Sequence, residues 1–145
     1  MIIIRKQEIV KIEDVLHLYQ AVGWTNYTNQ PQMLEQALSH SLTTYLARDG
    51  EEIVGLVRLV GDGFSSVFVQ DLIVLPSYQR QGIGSNLMKE ALADYKDAYQ
   101  IQLATEQTEK TLGFYRSLGF ETLSTYDCTG MIWVDRKKIK IILLS

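Results

Sequence analysis

The run with the plainest chemical use is Asp71-Leu72-Ile73-Val74-Leu75-Pro76-Ser77-Tyr78-Gln79-Arg80-Gln81-Gly82-Ile83-Gly84-Ser85-Asn86-Leu87-Met88. An apolar strand delivers the chain into a glycine-containing loop that opens directly into a helix. Consecutive backbone N–H groups and the positive helix end converge there, an arrangement that cradles an anion of the phosphate type. Gly82 and Gly84 matter because a side chain at either position keeps phosphate oxygens from the backbone. Two other glycine-loop chemistries are excluded. A dinucleotide fingerprint needs a third glycine where Leu87 stands, and a P-loop needs Gly-Lys-Ser/Thr, which this run lacks. Taken alone, Gly82-Ile83-Gly84 is equally readable as a plain turn and helix cap.

Other reactive groups are scarce. Cys128 is the only cysteine, so an intrachain disulfide, a thiolate metal cluster and a CxxC redox pair are excluded. His17 and His40 are the only histidines and fall on expected helices, where they read as surface or packing residues. No metal is expected. Fourteen basic residues against 17 acidic ones, a net charge of -3, give no general field for nucleic acid and favour a small-molecule partner. Met1-Ile2-Ile3-Ile4 is too short an apolar run for a signal peptide or a membrane span, so the expected location is cytoplasmic.

The loop needs elements to position it, and the composition allows them. Hydrophobic residues at 46% and charged ones at 21% suit a globular fold, and 145 residues suit a single domain over 1–145. Ile2-Ile3-Ile4 reads as a first strand. Ile12, Val15, Leu16, Tyr19 and Val22 follow at helical spacing up to Gly23, and Pro31 opens a second helix through Leu38. Trp24 to Tyr27 read as the loop between these helices. Residues 43–48 and 52–60 form a hairpin about Asp49-Gly50, a dipeptide suited to two positive-φ positions. Residues 67–75 are apolar on both faces and read as a central strand. A helix from Ile83 to Tyr95, a strand over 101–104 and a helix over 108–118 with Thr108 as N-cap come next. Residues 120–126 and 131–134 read as two last strands.

In its wider setting, Gln79-x-x-Gly82-x-Gly84 after the strand that ends in Val74 and Pro76 resembles the acetyl-CoA pyrophosphate motif of the GNAT superfamily of N-acetyltransferases. Leu112-Gly113-Phe114-Tyr115-Arg116-Ser117-Leu118-Gly119-Phe120 resembles that superfamily's "FYxxLGF" helix and turn. The order of elements from Ile2 to Val134 is also similar, so the likeness covers most of the chain. It implies an α/β (α+β) fold, a mixed, mostly antiparallel central sheet with splayed central strands flanked by helices. It implies acetyl-CoA as cosubstrate, with the pyrophosphate at Gln79, Arg80, Gln81, Gly82, Ile83, Gly84 and Ser85. The pantetheine arm would then lie along backbone near Ile73 and Val74, and a primary amine would attack the thioester directly.

On that resemblance Tyr115 is the candidate general acid. A departing thiolate, with a thiol pKa of about 8.5, benefits from a hydroxyl of pKa about 10, and a core aromatic is the other reading of this residue. Many relatives carry asparagine where Thr108 stands, so a coenzyme contact is not carried over to it. The attacking ammonium must lose a proton, and Asp71, the only carboxylate inside the apolar strand, is the candidate base through water. Equally, a strand carboxylate can simply accept hydrogen bonds from a neighbouring loop. Some relatives have an adjacent acid where this chain has Gln70. Trp24 and Tyr27 lie in the segment that in the superfamily overhangs the acceptor cleft, and either wall that cleft or cover the core. The favoured acceptor is a small amine. A protein lysine or N-terminal acetyltransferase and a non-catalytic acyl-CoA-binding module are the alternatives. Arg136-Lys137-Lys138-x-Lys140 reads as a solvated edge, and Ile139 to Leu144 as a strand packed on its own sheet or on a second copy in a homodimer.

Overall fold

The computed structural model describes residues 1–135. These fall into two compact units, Met1–Ala104 and the residues from Thr105 onward. The basic cluster and the apolar tail beyond residue 135 lie outside the described residues.

The first unit runs β1 (Ile2–Gln7), α1 (Ile12–Ala21), α2 (Thr25–Thr28), α3 (Pro31–Ser39), β2 (Thr43–Asp49), β3 (Glu52–Gly61), β4 (Ser66–Val74), a 3-10 turn (Pro76–Tyr78), α4 (Ile83–Asp94) and β5 (Gln100–Leu103). Its sheet has the order β1-β2-β3-β4-β5, antiparallel up to β4 and parallel between β4 and β5. β5 pairs only with Ser66–Val69. Among the described residues, the remainder of β4 therefore has β3 alone as a partner, and this is where the central strands part. The mixed, mostly antiparallel sheet flanked by helices is the expected fold class.

Successive strand residues point to opposite faces, which decides where the helices go. Leu56 of β3 joins Ile53, Leu46 and Ile73 in one core with Val15, Leu18 and Tyr19 of α1, Tyr27 of α2, and Leu34 and Leu38 of α3. Gly55, the preceding residue, faces Ile83 and Leu87 of α4. α1–α3 and α4 thus cover opposite faces of the sheet. Two bulges adjust the pairing. Val54 is the extra residue of β3 between Ala47 and Arg48 of β2, and Gln70 is the extra residue of β4 between Arg58 and Leu59 of β3.

Two local expectations change. The hairpin pairs Asp49 with Glu52, so Gly50 and Glu51 are its central residues and only Gly50 has positive φ, at 62°. The register is one residue later than Asp49-Gly50 suggests and needs one left-handed position, not two. Trp24 to Tyr27 are not a loop either: Thr25–Thr28 form a single helical turn.

In the second unit, α5 (Glu109–Ser117) starts at Thr108, whose Oγ1 accepts the Thr111 N–H at 3.2 Å. It ends in a Schellman motif. Gly119 N–H donates to the Arg116 carbonyl at 3.0 Å and Phe120 N–H to the Tyr115 carbonyl at 3.1 Å. The two strands expected over 120–126 and 131–134 are not formed. Leu123–Tyr126 is a 3-10 turn, and 127–135 has no regular structure. Hydroxyls explain the first of these. Thr122 Oγ1 lies 3.0 Å from Ser124 Oγ and 3.2 Å from Thr125 Oγ1, and such local partners compete with a sheet ladder. The turn closes at Asp127, with φ 56°, and the Cys128 N–H donates to the Leu123 carbonyl at 3.0 Å.

Candidate active site

The glycine loop sits where β4 leaves the sheet. Tyr78 donates its hydroxyl to Asp49 Oδ2 at 2.7 Å, tying the loop entrance to the β2–β3 hairpin. Gln79 folds back, and its Nε2 donates to the Val74 carbonyl at 3.2 Å. Arg80 has φ 65° and Gly82 φ 80°, so the chain turns through two left-handed positions before α4 begins. A Cβ at Gly82 meets nothing within 4 Å. Glycine is required there for its backbone, and a side chain would project into open space instead of against the protein.

The start of α4 is left open. Its first intrahelical bond runs from Asn86 N–H to the Gly82 carbonyl at 2.9 Å, so the N–H groups of Ile83, Gly84 and Ser85 have no intrahelical acceptor. Among the described residues, no side chain caps this helix start and no carboxylate stands in its first turn. A helix with such an end is fitted to an anion from outside the protein, as acetyl-CoA's pyrophosphate would be. Gly55 completes the arrangement. A Cβ there would come within 3.2 Å of the Ile73 carbonyl and of Leu87 Cδ1, and 3.3 Å of Ile83 Cγ2. The missing side chain lets the first turns of α4 lie against β3, which holds the open helix end beside the end of β4. A glycine inside an otherwise apolar strand was the available signal.

Ile73 is buried in the core, and Val74 ends the half of β4 that β5 does not pair. Asp71 lies in the same half. Its side chain is 0% exposed, and it accepts three hydrogen bonds: Arg58 Nε at 2.7 Å and the Tyr19 hydroxyl at 2.8 Å on Oδ2, and the Tyr27 hydroxyl at 2.8 Å on Oδ1. Arg58, 4% exposed at its side chain, also reaches the Tyr27 hydroxyl at 3.1 Å and Ser41 Oγ at 3.1 Å. Burial pushes the Tyr19 and Tyr27 hydroxyls up in pKa, Asp71's charge adds to this, and both stay protonated donors. Burial works against the Arg58 charge, but Asp71, Tyr19 and Tyr27 together outweigh it and raise the guanidinium pKa. Arg58 is buried with Asp71 as its counter-charge, and removing one partner of such a buried pair costs about 3–5 kcal/mol. Of the two readings of Asp71, the geometry matches the hydrogen-bond acceptor.

Trp24 and Tyr27 are brought together, and both face inward. Their rings lie 6.3 Å apart, and each packs on Tyr19, at 6.1 and 4.9 Å. Tyr27 is buried with its hydroxyl spent on Asp71, so it covers the core instead of forming an open wall. Asn26 beside it is 8% exposed, and its Oδ1 is buried with no hydrogen-bond partner among the described residues. Sequence reasoning missed Arg58 and Tyr19. The signal for Arg58 was a charge in the apolar run Leu56 to Val60, but its match to Asp71 requires the β3–β4 register.

Tyr115 belongs to the second unit. The Schellman turn puts Phe120 back over it, with ring centroids 5.9 Å apart, and Phe114 packs at 5.0 Å on edge. Burial raises the pKa of its hydroxyl, which suits a proton donor. Among the described residues no group of His, Cys, Asp or Glu is arranged to hold a metal ion, and no helix is long and apolar enough to cross a membrane.

Comparison with known proteins agrees with this geometry. Residues 40–122 match the acetyltransferase (GNAT) domain family. A solved GNAT-family acetyltransferase from Streptococcus pneumoniae TIGR4 is 79% identical, superposes with a TM-score of 0.87, and the match covers 94% of this chain and 99% of that one. The rice serotonin N-acetyltransferase 2, chloroplastic, is 33% identical over 95 residues, 63% of this chain and 48% of the rice protein, so the match spans about half of that relative. An Arabidopsis thaliana protein, GCN5-related N-acetyltransferase 1, chloroplastic, is 27% identical over 139 residues, covering 94% of this chain and 68% of its own length. With the family match spanning more than half of the sequence, the chain belongs to the GNAT family of acetyltransferases.

Proposed function

We propose that this acetyltransferase uses acetyl-CoA and moves the acetyl group to a primary amine of a small molecule by direct attack on the thioester. The observation that carries the coenzyme assignment is the uncapped start of α4, with the N–H groups of Ile83, Gly84 and Ser85 offered beside the half of β4 that β5 leaves unpaired. Arg80 and Gln81, both exposed in the loop, would add side-chain contacts to the pyrophosphate, and backbone at Ile73 and Val74 would guide the pantetheine arm. Gln79 supports the loop through Val74. The rice relative, named for a small amine, and the absence of a basic field in a chain of net charge -3 favour a small amine over a nucleic-acid-bound acceptor.

Tyr115 is proposed as the acid that donates toward the leaving thiolate, since its hydroxyl is kept protonated. The test is calorimetric titration with acetyl-CoA followed by thiol release on a panel of free amines and lysine or N-terminal peptides. Micromolar binding with turnover on free amines is the expected result. Turnover confined to peptides would make the chain a protein acetyltransferase, and binding without turnover on either class would make it an acyl-CoA-binding module.

A further inference from the structure

We propose that Asp71 and Arg58 form a positioning pair that sets the place of α2 over the unpaired half of β4, and that Asp71 does not take the acceptor's proton. The proposal rests on the reading of the chain as an acetyl-CoA-dependent acetyltransferase.

Four elements meet at this carboxylate. α1 reaches it through Tyr19, α2 through Tyr27 and β3 through Arg58, and the end of α3 is drawn in where Arg58 Nη1 donates to Ser41 Oγ at 3.1 Å and to the Ala37 carbonyl at 3.5 Å. Asp71 stands on β4 two residues past Val69, where pairing with β5 stops. The bulged residue between them, Gln70, is exposed. The cluster therefore joins the helical layer to the stretch of strand that carries the proposed thioester site.

α2 cannot hold its own position. It is four residues long, no side chain caps it, and a single turn lacks the bonds that make a helix stable by itself. Its anchors are the Tyr27 hydroxyl and the packing of the Trp24 and Tyr27 rings on Tyr19. Apolar packing resists separation but tolerates sliding, whereas a hydroxyl that donates to Asp71 and accepts from Arg58 fixes a direction. A buried ion pair contributes little stability over a well-packed apolar pair, so its use here is geometric. Tyr19, Tyr27 and Arg58 are the titratable groups that face Asp71, and each holds a proton toward it.

The test uses Tyr27→Phe and Asp71→Asn in the full chain. Trp24 and Trp133 are the only tryptophans, so in a Trp133→Phe background emission reports Trp24 alone. Both changes should shift Trp24 emission to the red and raise its acrylamide quenching by about twofold, with acetyl-CoA affinity by calorimetry held within about twofold. With an amine accepted by the wild type, the acceptor KM should rise about tenfold, kcat should stay within about threefold, and the acidic limb of the pH profile should keep its midpoint. Unmoved Trp24 emission in Tyr27→Phe, which removes one hydroxyl and leaves the fold intact, would overturn the proposal. So would a loss of kcat of about a hundredfold in Asp71→Asn together with loss of the acidic limb, the signature of a base. Failure of the wild type to bind acetyl-CoA would instead remove the acetyl-transfer reading, while the fluorescence result on α2 would still stand or fall separately.

Discussion

Replacing Tyr115 with phenylalanine keeps both ring contacts, with Phe114 and Phe120, and deletes one hydroxyl. If that hydroxyl stabilises the leaving thiolate, turnover falls by roughly ten- to a thousandfold, about 1.4–4 kcal/mol of transition-state stabilisation, while acetyl-CoA affinity holds. Steady-state kinetics beside a coenzyme titration measures both, and unchanged turnover with chemistry rate-limiting would assign Tyr115 to the core alone. Gly82 gives the complementary case. Its φ of 80° and the open space around it mean that Gly82→Val strains the loop by about 1–3 kcal/mol and places a side chain before the helix start. Calorimetry should show acetyl-CoA affinity reduced at least about tenfold, with the melting temperature lowered by roughly 3–10 °C. Tyr115 was legible in its motif because a Schellman turn needs a fixed spacing of residues. Arg58 was not, because its partner is 13 residues away on another strand.

α4 depends on a strand residue that it covers. Gly55→Val would drive a side chain into Ile83, Leu87 and the Ile73 carbonyl, with an overpacking cost of about 1–3 kcal/mol. The expected outcome is a lower melting temperature together with weaker acetyl-CoA binding, from a residue that need not touch the coenzyme, because the helix end retreats from β4. Unaltered affinity in a folded, destabilised variant would show that α4 keeps its place without this contact. The β3–β4 pair gives a second test. Arg58→Met leaves Asp71 buried without its ion-pair partner, and denaturant unfolding should register a loss of about 3–5 kcal/mol, much of it recovered in the double variant Arg58→Met/Asp71→Leu. Most element positions followed from apolar spacing and from Gly and Pro punctuation. The strand expected over 120–126 did not form because Thr122, Ser124 and Thr125 satisfy one another locally, a competition that residue-type preference does not resolve.

Across the molecule, acid titration joins elements far apart in sequence. The hydrogen bond from Tyr78, helped by the amino terminus, holds Asp49 below its ordinary pKa. A depressed carboxylate contributes stability above its unfolded value of about 4, and that contribution is lost as pH falls through the lower folded value. Tyr78→Phe should therefore be less stable than wild type near neutral pH, with the difference shrinking below about pH 4 in urea unfolding curves. A gap that widens with acid would contradict this linkage. The sequence by itself determined the strand–glycine loop–helix segment and the helix and turn around Tyr115, because each rests on contacts between residues close in the chain or on a repeating pattern of burial, while the class of sheet followed from the resemblance to the family. Only the tertiary structure decided what Asp71, Trp24 and Tyr27 face. Their partners, Tyr19 on α1 and Arg58 on β3, arrive through strand register, a bulge at Gln70 and the docking of three helices. A buried carboxylate takes its use from the donors around it, and those are set by packing between distant segments.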